Sequence, residues 1–155
     1  MKPDDYSNIA YLLAGIWLLF TGAILPAIGL FTIAFGSFMA HQYGGKWWKT
    51  DWYAMNVAFG SIIAFNTGWW WVMIPSVLLI LKDKWYVENY VLLGIYWVAS
   101  VASAYYAGVN IIPAIILFAL ALGIRQWGHE NHYQHTHSLW HALTAIGFVL
   151  LTFTT

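Results

Sequence analysis

The stretch IAYLLAGIWLLFTGAILPAIGLFTIAFGSFM, residues 9 to 39, contains no charged side chain. A helix crosses about 30 Å of hydrocarbon with about 20 apolar residues, so this run is too long for one untilted crossing. Pro26, with Gly22 and Gly29 on either side, offers a place for the chain to turn. We therefore predict two helices joined by a tight hairpin.

Five further apolar segments follow, and together they predict an all-α integral membrane protein, a bundle of seven transmembrane helices in a single domain (1–155). The predicted spans are about 8–23, 26–43, 51–65, 69–82, 86–106, 110–127 and 137–154. The composition agrees, because 61% of the residues are hydrophobic and only 8% are charged, whereas a soluble domain carries about 25% charged residues. The chain has no cysteine and a net charge of zero. These features exclude thiolate metal sites and argue against nucleic acid as a partner.

The positions of the charged residues support a count of seven spans. All of them precede the first span or fall at the connections between spans two and three, four and five, or six and seven: Lys2, Asp4, Asp5, Lys46, Lys49, Asp51, Lys82, Asp83, Lys84, Glu88, Arg125 and Glu130. In a seven-span chain these four places share one face of the membrane. The positive-inside rule makes that face cytoplasmic. We therefore expect the N-terminus on the cytoplasmic side and the C-terminus on the opposite side.

The histidines indicate a metal site. Five of the six lie between His129 and His141. His137 and His141 are four residues apart, so a helix presents both imidazoles on one face, as in helices that bind zinc through paired histidines. His41, outside this cluster, is expected on the same side of the membrane. A third imidazole would complete a zinc site with an open position for water, which is typical of catalytic zinc.

Ser37 and Asp51 are the candidate catalytic residues beside this Zn²⁺ site. Ser37 shares a helical face with His41, and Asp51 begins the third span after a short connection. Zinc lowers the pKa of a bound water to about 7, and a neighbouring carboxylate can accept the proton and return it to a leaving group. A serine hydroxyl can orient that water or donate to an oxyanion. Considered singly, Ser37 is also explained by helix packing and Asp51 by helix capping.

The other histidines, His129, His132 and His135, fall in the polar stretch GHENHYQHT, residues 128–136. We interpret this stretch as a solvated lid near the site. Two alternatives are a second metal site and a substitute third ligand for the first one.

The combination of Ser-x₃-His at the end of span two, Asp at the start of span three and His-x₃-His at the start of span seven resembles the CREST superfamily. That group includes the alkaline ceramidases, the adiponectin- and progestin-type receptors and the hydrolases that remodel lipids on membrane-anchored proteins. HSLWHALTAIG, residues 137–147, is similar to the seventh helix of the ceramidase and lipid-remodelling branches. The resemblance implies a seven-helix fold with zinc on His41, His137 and His141. It places Ser37 and Asp51 around the bound water.

The chain departs from the pattern of this group in two respects. The familiar alkaline ceramidases carry an acidic calcium-binding segment before the first helix, whereas only Asp4 and Asp5 stand there in this sequence. The loops are also shorter than is usual in the group. Both differences bear on regulation and substrate, and neither affects the predicted fold or metal ligands.

The expected function is therefore that of a membrane-embedded, zinc-dependent hydrolase of lipid amides, with ceramide or another N-acyl lipid as substrate. A hydrolase of phospholipid esters is one alternative, because the same activated water attacks both bonds. A non-catalytic lipid receptor with a structural zinc is another. A haem or metal-transport protein built on paired histidines is a third, although spans three to six offer almost no ionisable groups for a transport pathway.

Overall fold

The computed structural model describes residues 7–44, 47–75, 78, 86–131 and 135–153. Over these residues the protein is all-α, as predicted, and the described part contains no strand. The elements are α1 (Ile9–Phe20), α2 (Ile24–Tyr43), α3 (Trp48–Thr67), a short 3-10 helix (Trp70–Met73), α4 (Tyr86–Tyr106), α5 (Ile112–Glu130) and α6 (His135–Leu150). The predicted fourth span, about 69–82, begins with this 3-10 helix, and its residues 76, 77 and 79–82 lie outside the described residues.

The long apolar run forms two helices, α1 and α2, that pack against each other. The chain turns at residues 21–23, where Gly22 has a φ of +83°. Glycine adopts this conformation without the penalty that a Cβ imposes. Pro26, where the sequence suggested the turn, is instead the third residue of α2. Its missing N–H breaks no helical hydrogen bond there, because the first N–H groups of a helix have no intrahelical partner.

The helix ends identify the two ends of the bundle. At one end, Ser7 just before α1 contacts His141 near the start of α6, and His41 near the end of α2 contacts His137. At the other end, the Asn66 side chain in the last turn of α3 donates to an oxygen of α4 and to one just beyond α6, each at 3.4 Å. Helices α1, α3, α4 and α6 therefore run in one direction, and α2 runs in the opposite direction.

Two helices of the described part, α2 and α5, are long and apolar enough to cross a membrane. Two shorter apolar helices accompany them, Ile9–Phe20 and Val91–Tyr106.

Helices α2 and α3 approach closely at glycines. A Cβ added to Gly29 would lie 2.8 Å from the Cα of Ala58 in α3, and it would also overlap the Ser61 side chain. Backbones can come this near only where no side chain separates them, which is the usual role of small residues between membrane helices.

Gly29→Ala is expected to lower the thermal unfolding midpoint of the purified protein. The added methyl group overlaps the α3 backbone, and overpacking of this kind costs about 1–3 kcal/mol. Gly123→Ala is the matched control, because a Cβ at this helical glycine meets no atom within 4 Å. That replacement should be neutral or slightly stabilising. Equal midpoints for the two variants would contradict the close approach of α2 and α3 at Gly29.

Candidate metal centre

Three histidines from distant parts of the chain come together. His41 is in the last turn of α2, and His137 and His141 occupy successive turns at the start of α6. The Nε2 atoms of His41 and His137 are 3.0 Å apart, and the ring centroids of His137 and His141 are 4.4 Å apart. One nitrogen from each ring lies within 4.8 Å of the others. The predicted convergence is confirmed, and the three imidazoles are close enough to hold a metal ion.

His141 is fully buried, and its two ring nitrogens have different surroundings. Nδ1 is 2.8 Å from Ser7 Oγ, whereas Nε2 is buried and has no hydrogen-bond partner among the described residues. Leaving a buried polar atom without a partner is destabilising. A metal ion resolves this, because Nδ1–H can donate to Ser7 while Nε2 offers its lone pair to the ion. Metal-binding histidines commonly have such a second hydrogen bond.

The distances fit a tetrahedral metal site. With Zn–N bonds of about 2.0–2.1 Å, ligand nitrogens in such a site are roughly 3.4 Å apart. The observed separations of 3.0 Å and up to 4.8 Å lie on either side of this value, so small rotations of the rings suffice. Imidazole is also a good ligand for copper, iron and nickel. The donor set is therefore compatible with zinc and with other transition metals.

Tyr11 of α1 supports His141 from a second side. The Tyr11 ring lies 5.2 Å from the His141 ring, and its hydroxyl is 2.6 Å from Thr144 Oγ1. Thr144 Oγ1 donates to the carbonyl oxygen of Trp140 in its own helix, so the Tyr11 hydroxyl is the donor in this pair. Ser7 and Tyr11 thus fix the ligand-bearing turn of α6 from α1.

Asp51 and Ser37 lie beside the three histidines. Asp51 is in the first turn of α3 and borders the same cavity as His41. It does not cap the helix, because Trp47 is the N-cap residue and no side chain caps it. Ser37 is fully buried with its hydroxyl next to the Asp51 carboxyl group, and it closes no hydrogen bond of normal geometry with a described residue.

A close helix contact positions these two side chains. A Cβ on Gly36 would lie 2.7 Å from the carbonyl oxygen of Thr50, and the Thr50 hydroxyl donates to the Gly36 carbonyl oxygen at 3.0 Å. Gly36 directly precedes Ser37, and Thr50 directly precedes Asp51. The contact therefore brings the hydroxyl of α2 and the carboxylate of α3 to the same place.

A cavity of about 370 Å³ adjoins this polar group, a size within the usual range for small-molecule sites. Asp51, His41 and His137 border its polar end. Along α3 the wall continues to Phe59, eight residues further on, which corresponds to roughly 12 Å of helix. The rest of the wall is mainly apolar and includes Met55, Leu93, Trp97, Phe118 and Leu122.

Arg125 is a charged wall residue that the sequence did not single out. Its guanidinium carbon lies 4.7 Å from the ring centroid of Trp140 and 5.9 Å from that of Trp52, and all three residues border the cavity. Phe118 and Leu122 precede Arg125 by seven and three residues on α5 and border it too, which is the spacing of a single helical face. This spacing is the sequence signal that could have placed Arg125 in the site.

The remaining histidines of the polar stretch are not part of the metal cluster as far as the structure describes them. His129 is in the last turn of α5 and His135 begins α6, and both are exposed. His132 lies outside the described residues.

Comparison with protein family models, with curated proteins and with solved structures finds no match to this chain. The resemblance to the CREST superfamily therefore stays an expectation that rests on three short sequence windows.

His41→Ala and His137→Ala are each expected to abolish stoichiometric metal binding, because either change leaves only two imidazoles. Elemental analysis of the purified variants should give about one metal ion per chain for the unmodified protein and little for these two. His129→Ala is the matched control, since this exposed imidazole lies outside the cluster. Full metal content in His41→Ala would contradict the site that joins α2 and α6.

Ser7→Ala is expected to weaken metal binding about 10–100-fold while leaving the three ligands in place, because it removes the acceptor that orients His141. Competition with a chelator of known affinity measures the change. Ser100→Ala is the control, since the buried Ser100 hydroxyl donates, among the described residues, only to the carbonyl oxygen of Trp97 in its own helix. Equal metal affinities in the two variants would remove Ser7 from the support of the site.

Proposed function

We propose that this protein is a membrane-embedded, zinc-dependent hydrolase that cleaves the amide bond of ceramide or another N-acyl lipid. One observation carries the proposal. Three imidazoles with a metal-compatible spacing meet at the polar end of a mainly apolar cavity, next to a carboxylate and a buried hydroxyl. This arrangement suits a substrate with a polar, cleavable bond at one end of a hydrocarbon chain.

The outer surface supports a membrane location. Large apolar side chains are exposed along α1 and α5, among them Trp17, Phe20, Ile112 and Ile116, and water-soluble proteins rarely expose apolar surface on this scale. Trp69–Trp71 are exposed close to the end of α3, where they can form an interfacial aromatic belt. We propose seven spans with the metal centre towards the cytoplasm.

The side chains suggest a division of roles. Zinc held by three imidazoles with a free position supplies an activated water and a Lewis acid for the acyl carbonyl. The Asp51 carboxylate accepts the proton that the attacking water gives up. The Ser37 hydroxyl donates a hydrogen bond to the carbonyl oxygen as negative charge develops on it. The apolar wall holds the acyl chain and keeps bulk water from the reacting bond.

Asp51 also completes the reaction. When the C–N bond breaks, the carboxyl group returns its proton to the nitrogen, so the amine leaves as a neutral or protonated product. The acyl fragment leaves as a fatty carboxylate. The same residue acts first as a base and then as an acid, which requires that it lie within reach of both the water and the departing nitrogen.

Asp51→Asn is expected to keep the metal and to lower turnover of an N-acyl lipid by at least about 100-fold, because the amide side chain matches the carboxylate in shape but cannot take up a proton. Elemental analysis and release of fatty acid from a detergent-solubilised N-acyl lipid measure the two effects. Glu130→Gln is the control. It removes an exposed carboxylate that is hydrogen-bonded to Gln126 and should leave both properties unchanged.

The other outcomes separate the alternatives. Turnover that survives in Asp51→Asn removes this residue from the mechanism. Hydrolysis of phospholipid esters without hydrolysis of amides would replace the amide substrate by an ester. A metal-loaded protein that binds lipid and hydrolyses neither class would contradict an enzymatic function and favour a lipid receptor.

A further inference from the structure

The guanidinium group of Arg125 lies in the wall of the cavity, where a positive charge is costly to place. Apolar and aromatic side chains make up most of that wall, and a cation removed from water needs compensation. The rings of Trp52 and Trp140 provide part of it through cation–π contacts.

Among the described residues, a carboxylate does not complete the compensation. Arg125 forms no ion pair with any carboxylate of the described residues. It acts electrostatically on Asp51, another residue of the cavity wall, without forming an ion pair with it. A half-buried guanidinium that borders a cavity and lacks a paired anion is suited to bind an anion from a ligand.

The guanidinium group can also recognise an anion by its shape. It carries five N–H donors in one plane, and two of them match the two oxygens of a carboxylate or a phosphate. The contact with Trp140 holds this group at the cavity wall, where bidentate recognition of a ligand is geometrically suitable.

The place of Arg125 indicates which part of the ligand carries the charge. The Trp140 ring that supports it lies 5.0 Å from the His141 ring and 5.5 Å from the His137 ring, so one indole is near both the guanidinium and two of the candidate metal ligands. Phe118 and Leu122 extend the wall in the opposite direction along α5. The acyl chain therefore belongs next to Phe118, and the head group next to Arg125.

We propose that Arg125 binds an anionic group, a carboxylate or a phosphate, on the amine portion of the substrate, so that the preferred substrates are N-acyl lipids with a negatively charged head group. This inference rests on the proposed amide hydrolysis for the identity of the substrate, but anion binding by Arg125 is tested without it. The charge of the ligand is what Arg125 selects. Chain length is set by the apolar wall.

Three ligands with the same lauroyl chain and amide bond test the proposal: N-lauroylglycine, N-lauroylphosphoethanolamine and N-lauroylethanolamine. The first has a carboxylate, the second a phosphate, and the third is neutral. Binding is measured by calorimetry on the zinc-loaded full chain in neutral detergent. The Asp51→Asn background prevents hydrolysis during the titration. Hydrolysis is measured separately on the protein with Asp51 intact.

At least one anionic ligand should bind about tenfold or more tightly than the neutral one, and Arg125→Gln should abolish this preference while changing the affinity for N-lauroylethanolamine by less than about threefold. Arg125→Lys keeps the charge without the planar fork and should retain part of the preference. Lys49→Gln is the control, because it removes a positive charge from the same end of the bundle without bordering the cavity. The stronger of the two anionic ligands identifies carboxylate or phosphate.

Equal binding of all three ligands, or a preference that survives Arg125→Gln, overturns the proposal. Zinc content is measured for every variant. If Arg125→Gln loses the metal, Arg125→Lys decides, because it must weaken anionic binding and leave neutral binding unchanged. Anion preference without any hydrolysis would support this inference and contradict the proposed enzyme. Hydrolysis of the neutral amide without anion preference would do the reverse.

Discussion

His41 and His137 are 96 residues apart in the chain, and their Nε2 atoms approach to 3.0 Å where α2 and α6 meet. The cluster of polar side chains around the three histidines depends on this contact. Two imidazole nitrogens at this distance need either a shared proton or a shared cation. The buried Nε2 of His141 points to the cation, because a single shared proton leaves that third nitrogen without a partner. A cation shared by these imidazoles would therefore hold the ends of α2 and α6 together, in addition to side-chain packing.

Small residues make that polar centre possible. Gly36 allows the α3 backbone to come close enough that Ser37 and Asp51 meet, and the Thr50 hydroxyl joins the two helices at this place. Gly128 plays a similar part between α5 and α6, where an added Cβ would overlap the Thr136 side chain. Polar side chains in an apolar bundle can form stabilising hydrogen bonds with each other only when the helices that carry them approach closely.

The sequence was sufficient for the features that depend on helical spacing and on the alternation of charged connections. Both place His41, His137 and His141 at one end of the bundle. The sequence was insufficient for predicting contacts that depend on the angles at which helices pack. Ser7 is bonded to His141 across 134 residues, and no local pattern encodes that pairing. Arg125 looked like a charge at a membrane face, whereas the turn of α5 directs it over Trp140. The hairpin also turns at Gly22 because φ there is positive, which proline does not permit.

Because Ser7 is hydrogen-bonded to His141, a metal ion bound by His141 would be coupled to the position of the first helix. By thermodynamic linkage, the docking of α1 and the binding of the ion would stabilise each other by the same free energy. Helix α1 has only 12 residues, so it has little surface with which to pack against the bundle. The hydrogen bond between Tyr11 and Thr144 is a second polar contact between α1 and α6. Loss of an ion held by the three histidines would therefore also weaken the docking of α1 at the beginning of the chain, far in sequence from His137 and His141.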